Sequence, residues 1–196
     1  MFKKIKQLIA DHAIGEIRFV YLKLLKPSLT SADLEIPKTI WRVNPAIAGG
    51  GLFHDLAPHQ LDLMLYFFGD IRSASGFSFN QEKKYAADDI VGGSILFQNG
   101  IIFQGLWCFT VAGDQEQDTV EVVGSKGKIK FSVFDNFTLS IVKNGHSETI
   151  PFEKIQHVQQ PMIQKVVEYF SGKAQNPCPP EAGVKVMEIM QSFTEK

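Results

Sequence analysis

Three times after residue 88 the chain sets two apolar, alternating runs on either side of a very short turn. DIVGGSILF and IIFQGLWCF flank Gln98-Asn99-Gly100, TVEVV and KIKFSVF flank the turn from Gly124 to Gly127, and TLSIV and SETIPF flank Asn144-Gly145. Asn-Gly between such runs is a hairpin signal. Strands joined by so few residues must run antiparallel. A dinucleotide-binding fold needs parallel strands, crossover helices and a Gly-rich strand-to-helix turn. The triplet Gly49-Gly50-Gly51 is not G-x-G-x-x-G, no clear strand precedes it, and no G-x-x-x-x-G-K-[ST] occurs. No residue of this chain is therefore assigned to cofactor binding.

Helical spacing brackets the strands. Phe2, Ile5, Leu8 and Ile9 share one face of a first helix that stops by Gly15. A half-buried strand follows, with Ile17, Phe19 and Tyr21 set against Arg18, and residues 26–40 read as a loop. The run ending in LMLYFFGD is apolar almost all round, a buried helix closed by Gly69. Residues 158–170 and 181–193 return to helical spacing around a Pro-rich breaker. The expected fold is α+β, a large, mostly antiparallel sheet with helices on one face. Ile95, Phe97, Ile102, Trp107 and Phe109 are expected on the other face, whose cover would be a second copy of the chain in a C2 homodimer.

Composition narrows the class. The 196 residues are 44% apolar and 21% charged, which excludes disorder as the main state and fits one domain over residues 1–196. A net charge of -1 argues against a nucleic-acid or anionic-membrane partner. No apolar stretch is long enough to span a bilayer. Cys108 and Cys178 read as reduced thiols of a cytoplasmic protein.

Chemistry concentrates in His54, Asp55, His59 and Asp62. At about 100° per residue, positions 55, 59 and 62 share one face of an otherwise apolar helix. A His with a carboxylate one turn away is a reasonable general base, because the carboxylate orients the ring and stabilises the imidazolium. Plainer readings stand beside this one. Asp55 also reads as the helix N-cap, with Pro58 in the first turn. His59 also reads as a satisfied core histidine, Asp62 as a backbone anchor and His54 as structural. A metal site built from His54, Asp55 and His59 lacks the spacing of a known zinc motif. His12, His146 and His157 are isolated and expected to face solvent. Gly49, Gly50 and Gly51 either wrap a small ligand or serve a tight turn. Arg42 beside Trp41 either clamps a polar substrate or stacks on its aromatic neighbour.

Trp41-Arg42, then Gly49-Gly50-Gly51, then Asp55-x-x-x-His59-x-x-Asp62 on a helix ending in Gly69, resembles the Gfo/Idh/MocA oxidoreductases, relatives of glucose–fructose oxidoreductase and inositol dehydrogenase. IKQLIADHAIGEI, the central hairpin, EVVGSKGKIKF and PCPPEAGVKVMEIMQSF extend the likeness, in order, over nearly the whole chain. The resemblance implies a C-terminal α+β domain for substrate binding and dimerisation, whose N-terminal Rossmann partner for NAD or NADP is absent here. The abrupt first helix fits a cut at a domain junction, and any export signal would precede Met1. The resemblance makes His59 the acid/base for a sugar or polyol hydroxyl and Asp55 its assistant. Trp41, Arg42 and Gly50 are then expected at the substrate, with no metal ligand. The Lys of the family's E-K-P motif has no counterpart here, and Ala57 stands where many members have Gly. The expectation is therefore a domain inert by itself. The alternatives are a non-catalytic binding and dimerisation module of the same fold, or a metal-dependent hydrolase using His54, Asp55 and His59.

Overall fold

The structure is a computed structural model and describes residues 1–154 and 156–195. Among them, eight strands form one sheet: β1 (Ile17–Pro27), β2 (Ile71–Phe79), β3 (Ile90–Phe97), β4 (Ile102–Val111), β5 (Gln117–Gly124), β6 (Gly127–Phe131), β7 (Thr138–Lys143) and β8 (His146–Pro151). Their order is β2-β3-β4-β1-β5-β6-β7-β8. Every neighbouring pair is antiparallel except β1 with β4, at the centre. Short turns give the pairs β3–β4, β5–β6 and β7–β8 their antiparallel direction. In the Asn144-Gly145 turn both residues take positive φ (52° and 78°), the backbone of a tight two-residue hairpin.

The helices are α1 (Phe2–Ala10), α2 (Ser31–Glu35), α3 (Pro37–Ile40), α4 (Pro45–Ala48), α5 (Leu52–Phe68), α6 (Gln160–Phe170) and α7 (Pro180–Thr194), with a 3₁₀ turn at Trp41–Val43. The segment expected as a loop holds two short helices. Thr30 and Asp33 form a reciprocal capping box, and Pro37 opens the second helix at a position where its missing N–H costs nothing. Helix α5 lies over the sheet and buries Phe53, Ala57, Leu61, Met64 and Phe68. The Trp107 ring meets Phe53 edge-on at 5.1 Å, and its Nε1 donates to Gln60 Oε1 at 2.6 Å. Helix α7 sits close on β2 and β3 because Gly93 carries no side chain there; a Cβ would stand 2.5 Å from Phe193 Cζ.

Two expectations about faces are corrected. On β1 the buried residues are Val20, Leu22 and Leu24, while Tyr21 is exposed on the far side. Ile95, Phe97, Trp107 and Phe109 are fully covered by the helices, and of the five residues assigned to the outer face only Ile102 lies there. Alternation puts Ile102 on the opposite face from Trp107 and Phe109, and Ser94 and Gln104 mark that face as the open one, although it also carries large apolar residues. The open face carries Phe77 (88% exposed), Phe79, Ile102, Leu106 and Tyr21 among Ser75, Ser94, Gln104 and Lys23. No helix among the described residues is long and apolar enough to cross a membrane.

Candidate active site

Helix α5 begins after Gly51, so Asp55 stands at the end of the first turn and does not cap it. The cap is a glycine, with no side-chain oxygen to offer. Asp55, His59 and Asp62 are exposed, with Tyr66, along one stripe of a largely buried helix, and the first three share the face expected from their spacing. The core-histidine reading of His59 is thereby overturned. Pro58 is the seventh residue of the helix, past the first turn where it was expected, so the His54 carbonyl lacks the N–H that an i+4 residue would otherwise donate.

The partners of these side chains differ from those expected. Arg42 Nε donates to Asp55 Oδ2 at 3.1 Å, and the same guanidinium donates through Nη1 to the Lys38 carbonyl. Its carbon lies 4.6 Å from the centre of the Trp41 ring. Arg42 is thus both stacked and ion-paired, and the pair holds the segment from α3 to α4 against the start of α5. His59 makes no hydrogen bond to Asp55; its ring meets Phe134 at 6.0 Å and 86°, an edge-on contact from the loop between β6 and β7. Asp62 makes no hydrogen bond among the described residues, so it is not a backbone anchor.

His54 points away from this stripe. With Gly49, Gly50, Gly51, Ala86, Ala87 and Asp88 it lines a cavity of about 290 Å³ at the start of α5. Burial lowers the His54 pKa below the ordinary imidazole value, against an opposing pull from the Asp88 charge. Gly50 belongs to this packing. A Cβ there would overlap the imidazole and stand 2.6 Å from Cε1. Gly49, at φ +74°, ends α4 in the left-handed conformation. His54, Asp55 and His59 therefore face three different sets of neighbours. Among the described residues no three His, Cys, Asp or Glu groups are placed to hold a metal ion. His12, His146 and His157 are exposed, as expected, and His12 also meets Glu16 at 3.3 Å.

Two side chains of this region were not legible in the sequence. Phe134 reaches His59 from 75 positions away, and Asp88 faces His54 from the loop before β3. Neither lies in a periodic segment with chemistry of its own, and only the sheet order brings them in.

A family model described as the GFO/IDH/MocA C-terminal domain matches residues 2–130. The chain belongs to this family. Oxidoreductase P35 of Formosa agariphila is 37% identical to this C-terminal domain over 195 residues, an alignment covering 98% of this chain and 58% of that protein. The aldose-aldose oxidoreductase of Caulobacter crescentus, solved with glycerol, shares the fold at TM-score 0.80 and 17% identity, over 98% of this chain and 56% of its own. An inositol dehydrogenase homologue of Azotobacter vinelandii, solved with NAD+, does so at 0.78 and 19%, over 98% and 59%. The domain thus spans somewhat more than half the length of these relatives. It is an oxidoreductase C-terminal domain of the Gfo/Idh/MocA type.

Proposed function

We propose that this domain is the substrate-side half of an NAD- or NADP-dependent oxidoreductase acting on the hydroxyl or carbonyl of a sugar, a polyol or a related compound. The observation that carries the reading is the exposed His59–Asp55 stripe on the largely buried helix α5. The names of the aldose-aldose oxidoreductase and the inositol dehydrogenase homologue support the substrate class.

The described residues offer no cradle for a dinucleotide. The one parallel pair, β1 with β4, has no Gly-rich strand-to-helix turn, and the connections around it are hairpins and long excursions. The nucleotide would be held by a separate domain, and the nicotinamide would supply hydride transfer there. This chain's own part is proton transfer and positioning. His59 takes the proton from the substrate hydroxyl in oxidation, or returns it in reduction. Its exposed ring can approach a substrate oxygen directly. Asp55 places a negative charge one turn from the imidazolium so formed, and Arg42 fixes that carboxylate in place. Trp41 and the exposed edge of the Arg42 segment offer a stacking and hydrogen-bonding rim for a polyhydroxylated ligand. In the same reading the open sheet face, centred on Phe77, Phe79, Ile102 and Tyr21, pairs with a second copy about a two-fold axis, in a cytoplasmic enzyme.

The test is His59→Ala in the two-domain enzyme, assayed by NAD(P)-linked turnover. Loss of a positioned acid/base should lower kcat by about 10²–10⁴-fold. Unchanged turnover removes His59 from the chemistry and leaves a binding and dimerisation module.

A further inference from the structure

The loop between β6 and β7 is held more firmly than a simple chain reversal requires. At its neck, Asn136 N donates to Ser132 Oγ at 2.6 Å, and Ser132 Oγ donates back to the Asn136 carbonyl at 2.9 Å. At its outer turn, Asp135 meets Lys26 at 3.6 Å. Between these ties, Asp118 of β5 reaches across and accepts two backbone N–H groups with one oxygen, Val133 at 2.8 Å and Phe134 at 2.6 Å. The Phe134 ring so placed is the one that meets His59 edge-on at 6.0 Å.

From this chain of contacts the geometry points to Asp118 as a positioning residue for His59: its carboxylate fixes the backbone of Val133 and Phe134, and the Phe134 ring in turn fixes the imidazole. The inference rests on the proposed role of His59 for its functional meaning, though not for its structural content. The other Asp118 oxygen, Oδ1, is buried without a hydrogen-bond partner among the described residues. Burial pushes the Asp118 carboxyl up, against the downward pull of the Phe134 and Val133 N–H groups; Asp135 acts both ways, its charge raising the value and its backbone N–H lowering it. A turn between two antiparallel strands does not require a half-buried carboxylate with one oxygen shut off from water. Such a cost makes sense where the position of the loop matters. Among the described residues His59 has no hydrogen bond to set its ring, so the Phe134 ring is the contact that restricts it. An edge-on aromatic contact has a preferred geometry, and small displacements of a catalytic group are costly in rate.

Asp118→Asn keeps an acceptor oxygen for the two N–H groups, whereas Asp118→Ala removes it. The His59 ring resonances, assigned with His59→Gln, are followed by NMR in this domain for both variants and for Phe134→Ala. The expected result is that Asp118→Ala displaces the His59 signals in the same sense as Phe134→Ala, while Asp118→Asn restores the wild-type positions. Signals unmoved in folded Asp118→Ala, or moved equally by Asp118→Asn, overturn the inference. Should Asp118→Ala not fold, two measurements decide the matter. The wild-type Phe134 amide must be protected from hydrogen exchange, and Phe134→Ala must move the His59 signals; failure of either overturns the inference. In the two-domain enzyme, Asp118→Ala is expected to lower kcat, on the order of 10²-fold, with KM little changed and with recovery in Asp118→Asn. If His59→Gln leaves turnover intact, the catalytic role of His59 fails, and the NMR comparison still decides whether Asp118 positions it.

Discussion

Gly50→Ala separates a glycine that touches substrate from a glycine that makes room for a neighbour. Its φ lies outside the left-handed region, so alanine is tolerated by the backbone and no conformational strain is expected. The obstacle is the His54 ring, whose Cε1 would stand 2.6 Å from the new Cβ, with other ring atoms nearer still. Carbon contacts settle at about 3.5–4.0 Å, so the ring must move by roughly 1 Å or more. It then gives up its edge-on contact with Phe53, now at 5.4 Å and 87°, which is worth about 0.5–1.5 kcal/mol. Replacing glycine restricts the unfolded chain and offsets this by about 0.4–1 kcal/mol. The net loss should be no more than about 1 kcal/mol, a fall in Tm of ~2–4 °C.

The decisive readout is the His54 titration. Burial now holds its pKa low, so moving the ring toward water must raise the midpoint toward the ordinary value, as followed by NMR. The sign of the linked stability follows. The unfolded chain binds the His54 proton more readily than the folded one, so this contribution is present above pH ~6.5 and lost as pH falls toward the folded midpoint. The fall in Tm between neutral and mildly acidic pH should therefore be smaller in Gly50→Ala than in wild type. A midpoint that stays put or drops would refute the packing argument. A collapse in substrate affinity with an unmoved His54 would return Gly50 to the ligand.

Other outcomes follow from the core and the sheet. Gln60→Leu and Trp107→Phe each leave a buried polar group of the other unpaired, so the double variant should be less destabilised than the sum of the two by about 0.5–3 kcal/mol in urea denaturation; simple additivity would deny the bond its importance. Phe77→Ser with Phe79→Ser should convert a dimer to a monomer in light scattering, with the far-ultraviolet circular dichroism unchanged, and a wild-type monomer at high concentration would remove the proposed sheet-face pairing. Gly93→Val should destabilise strongly, lowering Tm further than Gly50→Ala, because its side chain would strike Phe193 in the packed interface of α7 rather than a ring with space to move into.

The sequence carried the architecture in its turns. Asn144-Gly145 and the Gly124–Gly127 turn specify antiparallel neighbours locally, and the long apolar run before Gly69 specifies a buried helix. The parallel pairing of β1 with β4 has no local signal, since their partnership spans the whole of α5 and two intervening strands. The sheet faces were legible in part: Ser94 and Gln104 mark the open side of β3 and β4, and alternation sets Ile102 opposite to Trp107 and Phe109, but large apolar residues stand on both sides and the helices that pack on one of them make the choice. At the site, the i, i+4 and i+7 spacing placed Asp55, His59 and Asp62 on one stripe. Their exposure and partners depend on side chains distant in sequence. Arg42 at Asp55 and Phe134 at His59 are products of tertiary structure, and the carboxylate expected to touch the imidazole is instead committed to a guanidinium.

The central proposition is that His59 is the group that moves the substrate proton. The most direct measurement is the pH profile of kcat/KM for the two-domain enzyme in the oxidative direction, compared between wild type and His59→Gln. Wild-type activity should fall on the acid side as the base becomes protonated, and the variant should retain only a low rate without that limb. The same acid limb at a similar height in His59→Gln would contradict it.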